Sequence, residues 1–168
     1  MLVGLPGAGK STVGQAVAER LGRSFLDLDK EIERRESATI SALFAERGEH
    51  YFRQRERELT EELREIGNMI LSPGGGWIAN VDVVALLRPP ARIIYLKVRP
   101  ETALRRLGPQ QATRPLLVRP DPLGELRRLL EQREPLYATA DFIIETERLD
   151  VQRVVDEVVR VAASVGRG

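Results

Sequence analysis

Gly4-Leu5-Pro6-Gly7-Ala8-Gly9-Lys10-Ser11-Thr12 matches G-x-x-x-x-G-K-[ST], the phosphate-binding P-loop. Its glycines let the backbone curl, so that successive N–H groups face inward and cradle phosphate oxygens. Lys10 is placed to reach the outer phosphates, and the Ser11 hydroxyl to ligate magnesium. The flanks agree with the loop. Met1-Leu2-Val3 precedes it as an apolar strand stub, and Val13, Val17 and Leu21 follow at the four-residue spacing of one helix face. Strand, loop and helix N-terminus together make an anion site. A glycine-rich turn matching by chance would not carry both flanks. The chain is therefore expected to bind a nucleoside triphosphate through Gly7, Ala8, Gly9, Lys10, Ser11, Thr12 and Val13.

The bulk properties narrow the class. A chain of 168 residues suits a single domain spanning 1–168, able to bury roughly two-thirds of its unfolded surface. A net charge of +1 argues against a general nucleic-acid binder. With no cysteine and one histidine, His50, neither a disulfide nor a thiolate or histidine metal cluster can form. There is no signal peptide and no apolar run approaching about 18 residues, so a soluble, cytoplasmic protein without membrane association is expected. Lysine occurs only at Lys10, Lys30 and Lys97 among 26 basic residues, which makes Lys10 stand out where a compact ammonium is required.

Short apolar runs alternate with helical stretches, the pattern of an α/β protein with a parallel sheet. Strands are expected at 24–29, 68–72, 91–98 and 141–145. Helices are expected over about 30–66 with a break near Gly48, and over 81–87, 100–107, 123–137 and 150–163. Residues 108–122 differ: four prolines and few apolar anchors suggest a mobile loop that is either functional or disordered. Only three residues are available for the strand feeding the P-loop, so a few upstream residues are expected to be missing.

A P-loop alone does not choose a reaction. Asp27 and Asp29, two apart in a strand, would lie on one face roughly 7 Å apart, opening into the crevice at the strand's carboxyl end. One could hold magnesium through water while the other binds a substrate hydroxyl; a solvated strand end with Asp29 capping the next helix is an equal alternative. Arg53, Arg114 and Arg133 are each one of many arginines, with a surface position the default, although a carboxylate substrate would favour planar bidentate guanidinium groups. Gly74, Gly75 and Gly76 would let a backbone approach a ligand closely, or make a flexible turn.

Taken together, these residues resemble the shikimate kinase family over nearly the whole chain. The resemblance rests on the P-loop, Leu26-Asp27-Leu28-Asp29, Phe52-Arg53-Gln54-Arg55-Glu56, Gly74-Gly75-Gly76, and Arg114-Pro115-Leu116-Leu117 with Arg133-Glu134-Pro135-Leu136-Tyr137. The first block is generic; the other four at these spacings are specific. The resemblance implies a three-layer α/β P-loop kinase fold like that of nucleoside monophosphate kinases. Its five-stranded parallel sheet, order 2-3-1-4-5, would be flanked by helices and carry a mobile lid at about 108–122. It implies transfer of the ATP γ-phosphoryl group to the 3-hydroxyl of shikimate, giving shikimate 3-phosphate and ADP on the route to chorismate and the aromatic amino acids. By the same resemblance Ser11 ligates Mg2+ directly and Asp27 through water. Asp29 binds the shikimate hydroxyls and is the candidate to accept the proton of the attacking one. Arg53 and Arg133 grip the carboxylate with the Gly75 N–H, flanked by Gly74 and Gly76. Arg114 closes over the transferring phosphoryl group, and Arg106 corresponds to the family's adenine-stacking arginine. Residues 145–150 do not reproduce the family's basic nucleotide contact in register, and Arg148 is the candidate to serve instead. Glu56 could hold an arginine of the site by a salt bridge, or be an ordinary surface pair.

Two rivals remain: another small-molecule kinase of this fold, such as a gluconate or nucleotide kinase, and a non-catalytic module that only binds its ligand. The expected partners are shikimate and ATP, with the chain acting as a monomer. Lys10→Ala should lower turnover by at least ~10³-fold, on the scale of one lost electrostatic donor to the transition state. Circular dichroism should show the fold intact.

Overall fold

The computed structural model describes residues 1–109 and 117–165. In chain order its elements are β1 (Leu2–Val3), α1 (Lys10–Leu21), β2 (Ser24–Asp27), α2 (Leu28–Glu36), α3 (Ile40–Leu63), β3 (Met69–Ser72), a 3-10 turn (Trp77–Ala79), α4 (Val81–Leu87), β4 (Ile94–Lys97), α5 (Pro100–Leu107), α6 (Pro122–Tyr137), β5 (Phe142–Glu145) and α7 (Val151–Val165).

Local chemistry explains most of the boundaries. Asp27, Thr39, Asp121 and Asp150 each accept a backbone N–H in the first turn of α2, α3, α6 and α7. Pro100 and Pro122 open α5 and α6, where a missing N–H costs nothing. α1 ends at Gly22, which adopts a left-handed conformation and returns its N–H to Ala18 and Glu19. Gly48 kinks α3 with φ 82, at the break expected from the sequence.

All strand pairs are parallel. The five strands form a three-stranded sheet, β1-β4-β5, and a two-stranded one, β2-β3, rather than the single sheet expected. β1 is only two residues long, and both pair with β4, Leu2 with Ile94 and Val3 with Tyr95. No hydrogen-bonded ladder joins β1 to β3, which lies beside it. Side-chain alternation nevertheless packs both sheets into the same two cores. Leu2, Ile70, Ile94, Leu96 and Ile144 face α1 and α7. Val3, Leu71, Ile93 and Tyr95 face α2, α3 and α4. The result is helices on both faces of a parallel strand layer.

The strand expected over 24–29 stops at Asp27, and Asp29 stands in the first turn of α2. Asp27, not Asp29, caps that helix, accepting the Lys30 N–H at 3.2 Å. Once Asp27 captures that N–H, helix geometry begins at Leu28, and the two acids no longer share a strand face.

The turn after β3 is bolted down from below. Trp77 is fully buried and its indole N–H donates to Thr60 Oγ1 at 3.1 Å, while that hydroxyl donates to the Glu56 carbonyl at 2.7 Å. Trp77→Ala should destabilise the protein by about 3–5 kcal/mol, the range for emptying a buried aromatic site. Urea unfolding measures it.

Candidate active site

α1 starts without any side-chain cap, so its first N–H groups stay directed into the P-loop. Lys10 folds back across the loop, its ammonium donating to the Gly4 and Leu5 carbonyls at 2.8 and 2.9 Å. Ser11 Oγ donates to Asp27 Oδ2 at 2.5 Å. The other Asp27 oxygen is the α2 cap, so one carboxylate joins the P-loop to the end of β2. Gly7, at φ 84, backs directly onto α5. A Cβ there would overlap the Ala103 carbonyl oxygen and lie 2.9 Å from Leu107 Cγ.

Across the crevice, the Gly74-Gly75-Gly76 turn gathers side chains from three helices. A Cβ on Gly74 would overlap the Asp29 carboxylate of α2. One on Gly75 would lie 2.9 Å from Arg133 Nη1 of α6, and one on Gly76 would overlap the Arg53 guanidinium of α3. The missing side chains are the space these groups occupy. A cavity of about 340 Å3 opens beside them, lined by Glu49, Arg53, Gly76, Asn80, Arg133 and Leu136. Asp29, Arg53, Arg133 and the three glycines, selected from sequence as substrate residues, are thus neighbours in space.

Arg53 is held on one side by Glu56 at 2.9 Å and on the other by Glu49 at 3.4 Å, with its guanidinium over the Phe52 ring. Glu56 is 0 % exposed, which excludes the surface-pair reading. Burial pushes its pKa up to about 6 even though the Arg53 charge pulls the other way. Its Oε1 is buried with no hydrogen-bond partner among the described residues. Glu49 escaped the sequence reading, although its position four residues before Arg53 was a usable helix-pair signal. Below Arg133, Tyr137 stacks on Tyr95 with ring centroids 4.7 Å apart, which anchors the end of α6.

On the opposite flank, Arg106 of α5 donates to Thr146 Oγ1 at 3.0 Å and to the Thr146 carbonyl at 2.8 Å. Arg148 is exposed in the turn between β5 and α7. Both adenine candidates therefore border the segment after β5. Arg114 and residues 110–116 of the expected lid lie outside the described residues.

A family model described as shikimate kinase matches residues 6–163. The chain belongs to the shikimate kinase family. It is 38% identical over 160 residues to a shikimate kinase of Caldanaerobacter subterraneus, covering 95% of this chain and 93% of that one. The solved structure of an Acinetobacter baumannii shikimate kinase in complex with shikimate superposes with a TM-score of 0.91 at 38% identity, covering 99% of this chain and 93% of the other. A Sinorhizobium meliloti gluconokinase aligns with a TM-score of 0.63 at 15% identity, covering 98% and 90%, a likeness of fold alone.

The buried glutamate makes a pH prediction. A carboxyl whose folded pKa lies above its unfolded value contributes stability that is fully present below about 4.5 and lost as pH rises through about 6. Glu56→Gln removes that proton. The stability of wild type minus variant should therefore fall by about 2 kcal/mol from pH 4.5 to 7, at about 1.4 kcal/mol per pKa unit. Urea unfolding at both pH values checks it; a difference that grew with pH would mean that the Arg53 charge outweighs burial.

Proposed function

We propose that this chain transfers the γ-phosphoryl group of ATP to the 3-hydroxyl of shikimate, forming shikimate 3-phosphate and ADP on the route to chorismate and the aromatic amino acids. The observation that carries the reading is the convergence of Asp29, Arg133 and Arg53 on one side-chain-free turn, across the crevice from a P-loop. Two arginines and a carboxylate suit an acceptor bearing both a carboxylate and hydroxyls. Membership of the family supports the same substrate.

In this reading Arg53 and Arg133 grip the shikimate carboxylate with the Gly75 N–H, and Gly74 and Gly76 admit the ring. Asp29 orients the hydroxyl and takes its proton as the oxygen bonds to the γ-phosphorus and the bond to the bridging oxygen of ADP breaks. Lys10 leaves the Gly4 and Leu5 carbonyls for the outer phosphates, a move that exchanges two neutral acceptors for charged ones. Gly7, Ala8, Gly9, Ser11, Thr12 and Val13 line the phosphates. Arg114 adds positive charge from the lid, and Arg106 and Arg148 flank the adenine. Ser11 and Asp27 offer the hard oxygen donors magnesium takes, and their side chains already meet. At that position Mg2+, when bound, would supply charge neutralisation for the transferring phosphoryl group.

The reading extends to the assembly: one strand layer in the order β2-β3-β1-β4-β5, acting as a cytoplasmic monomer on small molecules alone. No helix among the described residues is long and apolar enough to cross a membrane, and the net charge of +1 offers little to nucleic acid.

ADP release from ATP and magnesium, followed with shikimate, with gluconate and with neither, is the direct test. Shikimate-dependent release is expected. Turnover with gluconate alone would overturn the acceptor, and no turnover with either would favour a ligand-binding module. Arg133→Ala should raise the shikimate KM at least ~10-fold, the scale of one charge-assisted hydrogen bond, with the ATP KM within about twofold of wild type.

A further inference from the structure

The segment after β5 is fastened to α5 at both ends of that helix. At the far end Arg106 holds Thr146. At the near end Glu147 accepts the Arg99 backbone N–H at 3.1 Å, the Arg99 guanidinium at 2.9 Å and the Thr102 hydroxyl. α5 has no capping side chain of its own: its N-cap residue is Arg99, and Pro100 follows. The helix start is therefore capped in trans, by a carboxylate reaching in from 48 residues away. Charge suits the place, since a helix N-terminus favours an anion. The Thr102 hydroxyl and the Arg99 guanidinium hold this carboxylate at a pKa of about 2, so it stays ionised at any working pH.

α5 is a wall of the nucleotide site. It touches the P-loop where a Cβ on Gly7 would overlap Ala103. The acceptor residues lie on the β2-β3 flank, so a triphosphate cradled at the end of β1 must carry its nucleoside the other way. That path runs over the carboxyl ends of β4 and β5, where ligands of open parallel sheets bind. There the Thr146–Glu147 turn is hydrogen-bonded directly to α5, and those bonds fix where the turn lies against the helix.

We infer that Glu147 is a positioning residue for the nucleoside end of the nucleotide, acting by capping α5 from the turn after β5. Its partners are Arg99 and Thr102, so its loss should loosen the turn against α5 and leave the P-loop able to bind phosphate. This inference rests on the kinase reading above.

The test compares Mg-ADP with inorganic triphosphate, which lacks a nucleoside, by titration calorimetry on the full chain. Glu147→Ala should weaken ADP binding about 5- to 10-fold, the scale of lost charge-assisted hydrogen bonds, with triphosphate and shikimate binding within about twofold of wild type. Glu147→Gln, whose amide oxygen can still accept the Arg99 N–H, should fall between the two. Thr102→Val removes one donor without touching the carboxylate. It should weaken ADP alone by about 2- to 3-fold, which serves if the alanine variant does not fold. Equal losses for ADP and triphosphate, or ADP binding unchanged in all three variants, would overturn the inference. A wild-type chain that binds triphosphate but shows no affinity for ADP would overturn the kinase reading itself.

Discussion

Three adjacent residues without side chains hold one half of this crevice together. Asp29, Arg133 and Arg53 come from α2, α6 and α3, and each sits where a Cβ on Gly74, Gly75 or Gly76 would be. A carboxylate and two guanidinium groups cannot be brought this close to a backbone that carries its own side chains. The turn must also be rigid, or the three groups would have no common reference. Trp77 supplies that rigidity, buried immediately after the glycines and hydrogen-bonded to α3. The same α3 carries Arg53, so the turn and one of its arginines are fixed to a single helix.

The electrostatics of the site are uneven by design of burial. Arg53 is 28% exposed and keeps its charge, while its partner Glu56 is enclosed and carries most of the desolvation cost. A buried carboxylate with one oxygen paired is held by its partner more than it contributes to stability. Its structural consequence is directional: it fixes the guanidinium from below and leaves the outer face toward the cavity. The many exposed Arg–Glu pairs along α2, α3 and α7 have no such leverage, since each is worth at most about 1 kcal/mol in water. Stability comes instead from the two apolar cores on either side of the strand layer.

The P-loop stands between two flanks that are built differently. Toward β2 it is tied by one short hydrogen bond, Ser11 to Asp27. Toward β4 and β5 it rests on α5 by direct backbone packing at Gly7. α5 thus meets the loop at Gly7, while the Thr146–Glu147 turn after β5 is hydrogen-bonded to both ends of α5.

Signals that depend on the local backbone were legible in the sequence. The P-loop, the proline-led starts of α5 and α6 and the break at Gly48 follow from the conformations those residues allow. The family blocks singled out Asp29, Arg53, Arg133 and the glycines correctly as neighbours, but could not say that each arginine or acid fills the place of one missing Cβ. The strand expected to carry both Asp27 and Asp29 ended a residue pair early, because periodicity alone cannot weigh a capping hydrogen bond against two more strand residues. The single five-stranded sheet was not found, because two residues of β1 sustain a ladder on one side only. Residue identity by itself determined the phosphate-loop motif and the helix starts. Tertiary packing alone decided that Glu56 is enclosed and that Glu147 caps α5 from 48 residues away. Burial and through-space partners arise only when distant elements dock, and no local spacing records them.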